Sequence, residues 1–507
     1  MTLKDKLNKF NNWKDRLSAY GLALTLLGVD QTFGSPASGA EYRMSRTAIL
    51  RGEYVRVLQD EEMFGIIGEL IKEPEGSLSE YLADCPMDEG DIRRELELYH
   101  ESLTKERNIP PEKYMEFSQI LDRSKTAWLR AKAEEDYKGY APYLKDVIDG
   151  YKEITSLADS PLGLYDRMLD DNQPGWTQDK YDLFFSHVKE QVVPMVKEAV
   201  KKPVPDMSFL KREYDAEGQR RVMKKILDFI GFTPDWGKTG ESEHPLTTSL
   251  SRGDVRFTTK YRKHDISQAV LSTVHESGHG WFGHNVDPKY DGSIIARSIS
   301  AGLHESQSRL CENHLGRSFA FWEKVYPWFK EEFPGELMGT DLNGFYKAIS
   351  YSKPTLIRTE SDELTYPLHI LIRYELEKEM IEGGLEISSL DEAWNDKYEE
   401  YLGIRPGKPS EGVLQDMHWP YAYLGYFPTY ALGSAMAAQF FDAMKRDIDP
   451  NQLIREGRYT EIMGWLRDNV HRYANRYPAE KVLEMATGEP FNDEYYFRWL
   501  RDRYVEG

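Results

Sequence analysis

The chain has 507 residues, 40% hydrophobic and 13% aromatic, enough to bury a large core, which excludes a disordered chain. Sixty-five Lys and Arg face 85 Asp and Glu, a formal charge of −20, so nucleic acid and anionic membranes are not expected partners. The two cysteines, Cys85 and Cys311, lie far apart and outside any CxxC cluster, which argues against a disulfide scaffold or a thiolate metal site.

Apolar residues spaced by three and four predict helices over 3–28, 41–72, 90–138, 178–230, 363–382 and 457–506. The fold class is therefore mostly α. Strand signal is sparse; the clearest is 255–261, where apolar or β-branched residues alternate with polar ones. Two Gly- and Pro-rich stretches, 233–254 and 403–412, are expected to be loops, and neither resembles an interdomain linker. One continuous domain over 1–507 is the expectation. Met1 to Asp30 lacks a signal-type apolar run, and no segment approaches the length of a bilayer span, so the expected location is cytoplasmic.

The chemistry concentrates in His275-Glu276-Ser277-Gly278-His279. Apolar residues at 266, 270 and 274 put this segment on a helix, with Asp265 as N-cap and Gln268 as its capping-box partner. Histidines four apart share one helix face and can close on one zinc ion, while Glu276 is turned toward a water. Gly278 costs about 1 kcal/mol relative to alanine in a helix, so its presence points to close approach by another group. A third ligand is needed. A short-spaced third histidine fails, because His284 is out of register and reads as a structural histidine. Glu305, 26 residues after His279, completes a two-His-one-Glu set, with its neighbour His304 as rival.

Six segments recur in order: His244-Pro245-Leu246, Asp254-Val255-Arg256-Phe257-Thr258, the His275/His279 pair, His304-Glu305-Ser306-Gln307, Ile357-Arg358-Thr359-Glu360-Ser361-Asp362 and Gly412-Val413-Leu414-Gln415-Asp416-Met417-His418-Trp419. Together they resemble the carboxypeptidase Taq family of metallocarboxypeptidases. The chain departs at Leu246, where the family usually has Phe, and at Ser361, where it has Ala. The resemblance implies a large helical domain with a deep central groove and a small antiparallel β-sheet beside the zinc-site helix. It also implies a homodimer, zinc or cobalt as metal, and release of single amino acids from peptide C-termini with broad side-chain tolerance.

Residue roles follow. His275, His279 and Glu305 hold the metal, and Glu276 is the general base. Recognition of a C-terminal carboxylate suits an arginine fork, with Arg358 favoured over Arg256, each of which could instead form an ion pair with Asp362 or Asp254. By analogy with distantly related helical zinc peptidases, His418 and Tyr426 are candidate oxyanion donors, the alternative being that they line the groove or pack the core. His244 either contacts the groove or packs its own loop. If 255–261 is an edge strand, it offers main-chain pairing to an extended peptide. Two other readings stay open: a helical zinc oligopeptidase or dipeptidyl carboxypeptidase, and an inactive zinc-binding homologue.

Overall fold

The structure is a computed structural model that describes residues 1–83, 85–158, 160–297 and 299–506. Twenty α-helices and one three-stranded sheet make up the regular structure among these residues. The long helical predictions break where prolines and caps dictate. Residues 90–138 divide into Glu89–Arg107 and Pro111–Glu134 around Pro110-Pro111, and 178–230 divides into Gln178–Ala199 and Ala216–Ile230 across Pro203 and Pro205. Residues 41–72 divide at Asp60, whose side chain caps Glu61–Ile71.

Two buried apolar clusters result. One is built from the N-terminal helices, with Phe10, Trp13 and Tyr99 in mutual ring contact, and includes Val286, Tyr290 and Ile295. The other runs through the rest of the chain and includes Val270, Val274, Phe282 and Leu303 from the site region. Ile299 packs against both. No described helix is long and apolar enough to cross a membrane, and both cysteines are free.

The sheet corrects three expectations. The stretch 233–254, read as loop, contains β1 (Gly237–Glu241) and β2 (Thr247–Ser251), followed by β3 (Asp254–Thr259). Gly237-Lys238-Thr239-Gly240-Glu241 has no apolar alternation, because its side chains are mostly outside the core, so period-two reading could not find it. The sheet is mixed, not wholly antiparallel: β2 pairs antiparallel with β3, but β1 pairs parallel. The strand order β1-β3-β2 places β3 in the middle. With both of its edges occupied, β3 cannot accept a peptide, and that expectation is withdrawn.

Candidate metal centre and active site

The helix Ile266–Asn285 carries the first two ligand candidates, and Asp265 is its N-cap as the sequence suggested, although Gln268 contributes its backbone N–H and not the expected capping box. The Asp265 carboxylate accepts from the backbone N–H groups of Ser267 and Gln268. Three glycines then let the helix sit deep between its neighbours. A Cβ on Gly278 would lie 2.6 Å from the Gln307 carbonyl oxygen and 2.7 Å from Ser308 Cα, so this is where the helix Ala301–Arg309 crosses. On the sheet side, a Cβ on Gly283 would lie 2.2 Å from Ser249 Oγ, and one on Gly280 would lie 3.2 Å from Val255. The close approach inferred for Gly278 is thus made by backbone.

This crossing brings Glu305 to the histidines. His275, His279 and Glu305 each offer a donor atom, and the three atoms lie within 4.8 Å of one another. Glu305 Oε2 is 3.4 Å from His279 Nε2 and 3.8 Å from His275 Nε2. The other oxygen, Oε1, accepts from Arg309 Nε at 2.7 Å. Burial works to raise the Glu305 carboxyl, but Arg309 and the two histidines outweigh it and hold it well below the usual carboxylate range. His275 Nδ1 lies 2.9 Å from Glu312 Oε2, which leaves Nε2 facing Glu305. His304, the rival ligand, is half-buried and stacks on His279 at 4.5 Å, outside the donor cluster. Two half-buried imidazoles and a buried carboxylate that converge in this way fit a divalent cation.

Glu276 is buried beside this cluster, and the Thr247 hydroxyl on β2 lies 2.6 Å from its Oε2 and 3.0 Å from its backbone carbonyl. Thr247, immediately after His244-Pro245-Leu246, was not singled out from the sequence. His284 is structural, as expected: Nδ1 contacts the Arg252 carbonyl at 2.7 Å and the ring stacks on Trp236 at 4.0 Å.

The remaining candidates fall into two groups. Arg358 is buried and committed to Asp416, its Nε and Nη2 each 2.9 Å from Oδ1, while Nη1 meets the Tyr366 hydroxyl at 3.2 Å. Arg373 takes the other Asp416 oxygen. Burial opposes the charge on Asp416, but the two guanidiniums prevail and keep it ionised. The ion-pair partner of Arg358 is therefore Asp416 and not Asp362, which instead accepts from the backbone N–H groups of Lys353, Leu364 and Thr365. The unusual Ser361 donates to the Arg358 carbonyl at 2.6 Å. His418 Nε2 is 3.2 Å from the Tyr430 hydroxyl and its ring lies on Phe427; burial pushes it down to about 3, so it is neutral at physiological pH. Tyr426 and Tyr430 are neighbours, and the Glu305 charge adds to the burial that raises both phenols.

The loop carrying His418 and Tyr426 is anchored by a residue the sequence did not flag. Fully buried Glu377 accepts from the Trp419 indole, the Gly425 backbone N–H and the Tyr165 hydroxyl. Gly425 has φ +72° and a Cβ there would meet the Met168 carbonyl at 2.1 Å, so only glycine fits. Arg256 and His244 lie apart from this group in their contacts. Arg256 makes a two-point pair with Asp254, as one alternative anticipated, and His244 is exposed between β1 and β2, its carbonyl accepting from Ser242.

The chain is similar to known proteins over nearly its whole length. The family profile described as carboxypeptidase Taq (M32) metallopeptidase matches residues 9–504. The chain is 35% identical to carboxypeptidase 1 of Bacillus subtilis (strain 168) over 491 residues, 96% of each chain. It is 34% identical to thermostable carboxypeptidase 1 of Pyrococcus furiosus over 510 residues, covering 99% of this chain and 98% of that one. Among solved structures, the M32 carboxypeptidase from Deinococcus radiodurans R1 superposes with a TM-score of 0.93 at 30% identity over 99% of both chains.

Proposed function

The chain belongs to the carboxypeptidase Taq (M32) family of metallopeptidases, and from that premise we propose how its own residues carry out metallocarboxypeptidase chemistry. The observation that carries the reading is the convergence of His275, His279 and Glu305 beside buried Glu276. These three residues would hold the metal, zinc or alternatively cobalt, since a two-nitrogen, one-oxygen donor set with an open position suits a catalytic zinc. When bound, such a cation supplies Lewis acidity, which polarises a carbonyl and acidifies water.

Glu276 takes a proton from the attacking water through its carboxylate and returns it to the departing amine. Thr247 holds that carboxylate in place. Neutral His418 and Tyr426 donate to the developing oxyanion, backed by Tyr430. For the substrate carboxylate, Arg358 remains the favoured group and Arg256 the alternative, with His244 a lesser contact. Arg358 is supported by its place beside His418, Tyr366 and Tyr430, its Asp416 pair fixing the guanidinium plane. The peptide lies in a central groove and loses single residues with little side-chain preference. The single-domain reading is supported by Ile299, which packs against both cores. A homodimer is carried by family resemblance, and a cytoplasmic location by the two free thiols.

The test is mass analysis of a peptide pair, one with a free C-terminus and one amidated, with Glu276→Gln as control. Stepwise loss of single residues from the free peptide alone supports the assignment. Dipeptides or internal cuts from both peptides would sink the carboxylate clamp and favour an oligopeptidase.

A further inference from the structure

The helix bearing Glu305 does not end in α geometry. Ala301–Arg309 passes into a π-helical stretch, Leu310–Gly316, in which residues five apart share a face, and the Arg317 N–H bonds the Glu312 carbonyl at 2.9 Å. The consequence is a file of alternating charges on one side of the helix. Glu305, Arg309 and Glu312 follow at four and three residues, and the π turn adds Arg317. Arg309 Nη1 is 3.3 Å from Glu312 Oε2, and Arg317 Nη2 is 3.0 Å from Glu312 Oε1. The four side chains are only 8%, 14%, 12% and 13% exposed, in chain order.

The file is anchored at both ends. At one end it meets the metal ligands, because Glu312 contacts His275 Nδ1 and Arg309 occupies Glu305 Oε1. At the other end, Arg503 donates to the Arg317 carbonyl at 2.7 Å. Buried Glu363 receives the Tyr504 hydroxyl and the Trp499 indole N–H at 3.0 and 2.8 Å. A charge row this dry is an expensive way merely to hold a helix, since apolar residues of similar volume often do as well or better. Its geometry instead serves the ligands. Glu312 fixes which nitrogen of His275 faces Glu305, and Arg309 fixes which oxygen of Glu305 faces the histidines, before any cation arrives.

We propose that Arg309 and Glu312 are positioning residues of the metal site, holding His275 and Glu305 in ligand geometry through a buried charge file. The proposal rests on the ligand assignment above. Outer partners of this kind change metal affinity by about 10- to 100-fold when lost.

The experiment uses the full chain stripped of metal and titrated with Zn²⁺ against a chromophoric chelator, with the Co²⁺ visible spectrum as a readout of ligand geometry. Glu312→Ala is expected to weaken Zn²⁺ toward the 100-fold end and to alter the Co²⁺ bands. Glu312→Gln, which keeps an oxygen for His275, should lose about 10-fold. Arg309→Lys keeps the charge but cannot span both carboxylates, and should fall between them. Affinity within about twofold of the parent in folded Glu312→Ala, with unchanged Co²⁺ bands, overturns the proposal; should that variant not fold, the same result in Glu312→Gln does so. His279→Ala separates the two levels. If it still binds one Zn²⁺ stoichiometrically, the ligand assignment has failed; if it does not bind while Glu312→Ala binds normally, only the positioning role has.

Discussion

Replacing Gly278 by alanine sets two opposing effects against each other, and the structure decides the sign. On an exposed helix the change would stabilise by about 1 kcal/mol, because alanine is the better helix former. Here the new methyl would sit 2.6 Å from the Gln307 carbonyl oxygen, against the 3.4 Å of an ordinary contact, so the helices must part by about 0.8 Å. The opposing atoms are backbone and cannot rotate away, which places the cost near 3 kcal/mol, the upper end for overpacking. The net loss is about 2 kcal/mol. With an unfolding entropy of about 2.1 cal/mol/K per residue, a chain of 507 residues has about 1.1 kcal/mol/K, so Tm should fall by about 2 °C. The larger effect is on the site. Parting these helices moves Glu305 away from His275 and His279, and a displacement approaching 1 Å can cost about 100-fold in rate. Calorimetry and kcat/KM on a free-C-terminus peptide check both. A Tm that rises with unchanged kcat/KM would refute the reasoning, since only helix propensity would then be at work.

Four further outcomes are expected. Glu276→Gln should lower kcat by at least about 100-fold while one Zn²⁺ still binds, measured by turnover alongside metal titration; loss of metal with loss of rate would contradict the base role. Thr247→Val should lower kcat with little change in KM, and Thr247→Ser should restore most of it; equal losses in both variants would show that the hydroxyl is irrelevant. Asp416→Asn leaves two buried guanidiniums uncompensated and should cost about 3–5 kcal/mol in urea unfolding, a loss below about 1 kcal/mol being the refuting result. The fourth concerns pH. Burial pushes His418 and His471 each down to about 3, so from there to 6.5 the unfolded chain binds more protons, and their contribution is complete above 6.5 and lost as pH falls. Glu377, pushed up to about 7 by burial, acts in the opposite sense, its contribution being lost as pH rises from 4.5 to 7. His471 donates from Nε2 to Gln307 and meets the Asn285 amide at Nδ1, so His471→Gln should remove one histidine's share, about 1.4 kcal/mol per pH unit of slope between pH 4 and 6. An unchanged slope would refute it.

The sequence by itself determined what depends on short-range periodicity. Histidines four apart on a capped helix must share a face, and a glycine tolerated between them had to mark a close crossing. Proline positions 110, 111, 203 and 205 already held two of the breaks in the overlong helical predictions. The spacing of Glu305, Arg309 and Glu312 was equally visible, but their link to His275 was not, because it depends on how two helices cross. Three things were decided only by tertiary structure. The β1 strand has no pattern of its own and exists because β3 lies beside it. The pairing of Arg358 with Asp416 and not with nearby Asp362 joins residues 58 apart. Glu377 became the anchor of the His418–Tyr426 loop because the fold buries it against Trp419, Gly425 and Tyr165. Local periodicity carries no information about a partner that distant, and in a buried site the partner decides what a charged side chain can do.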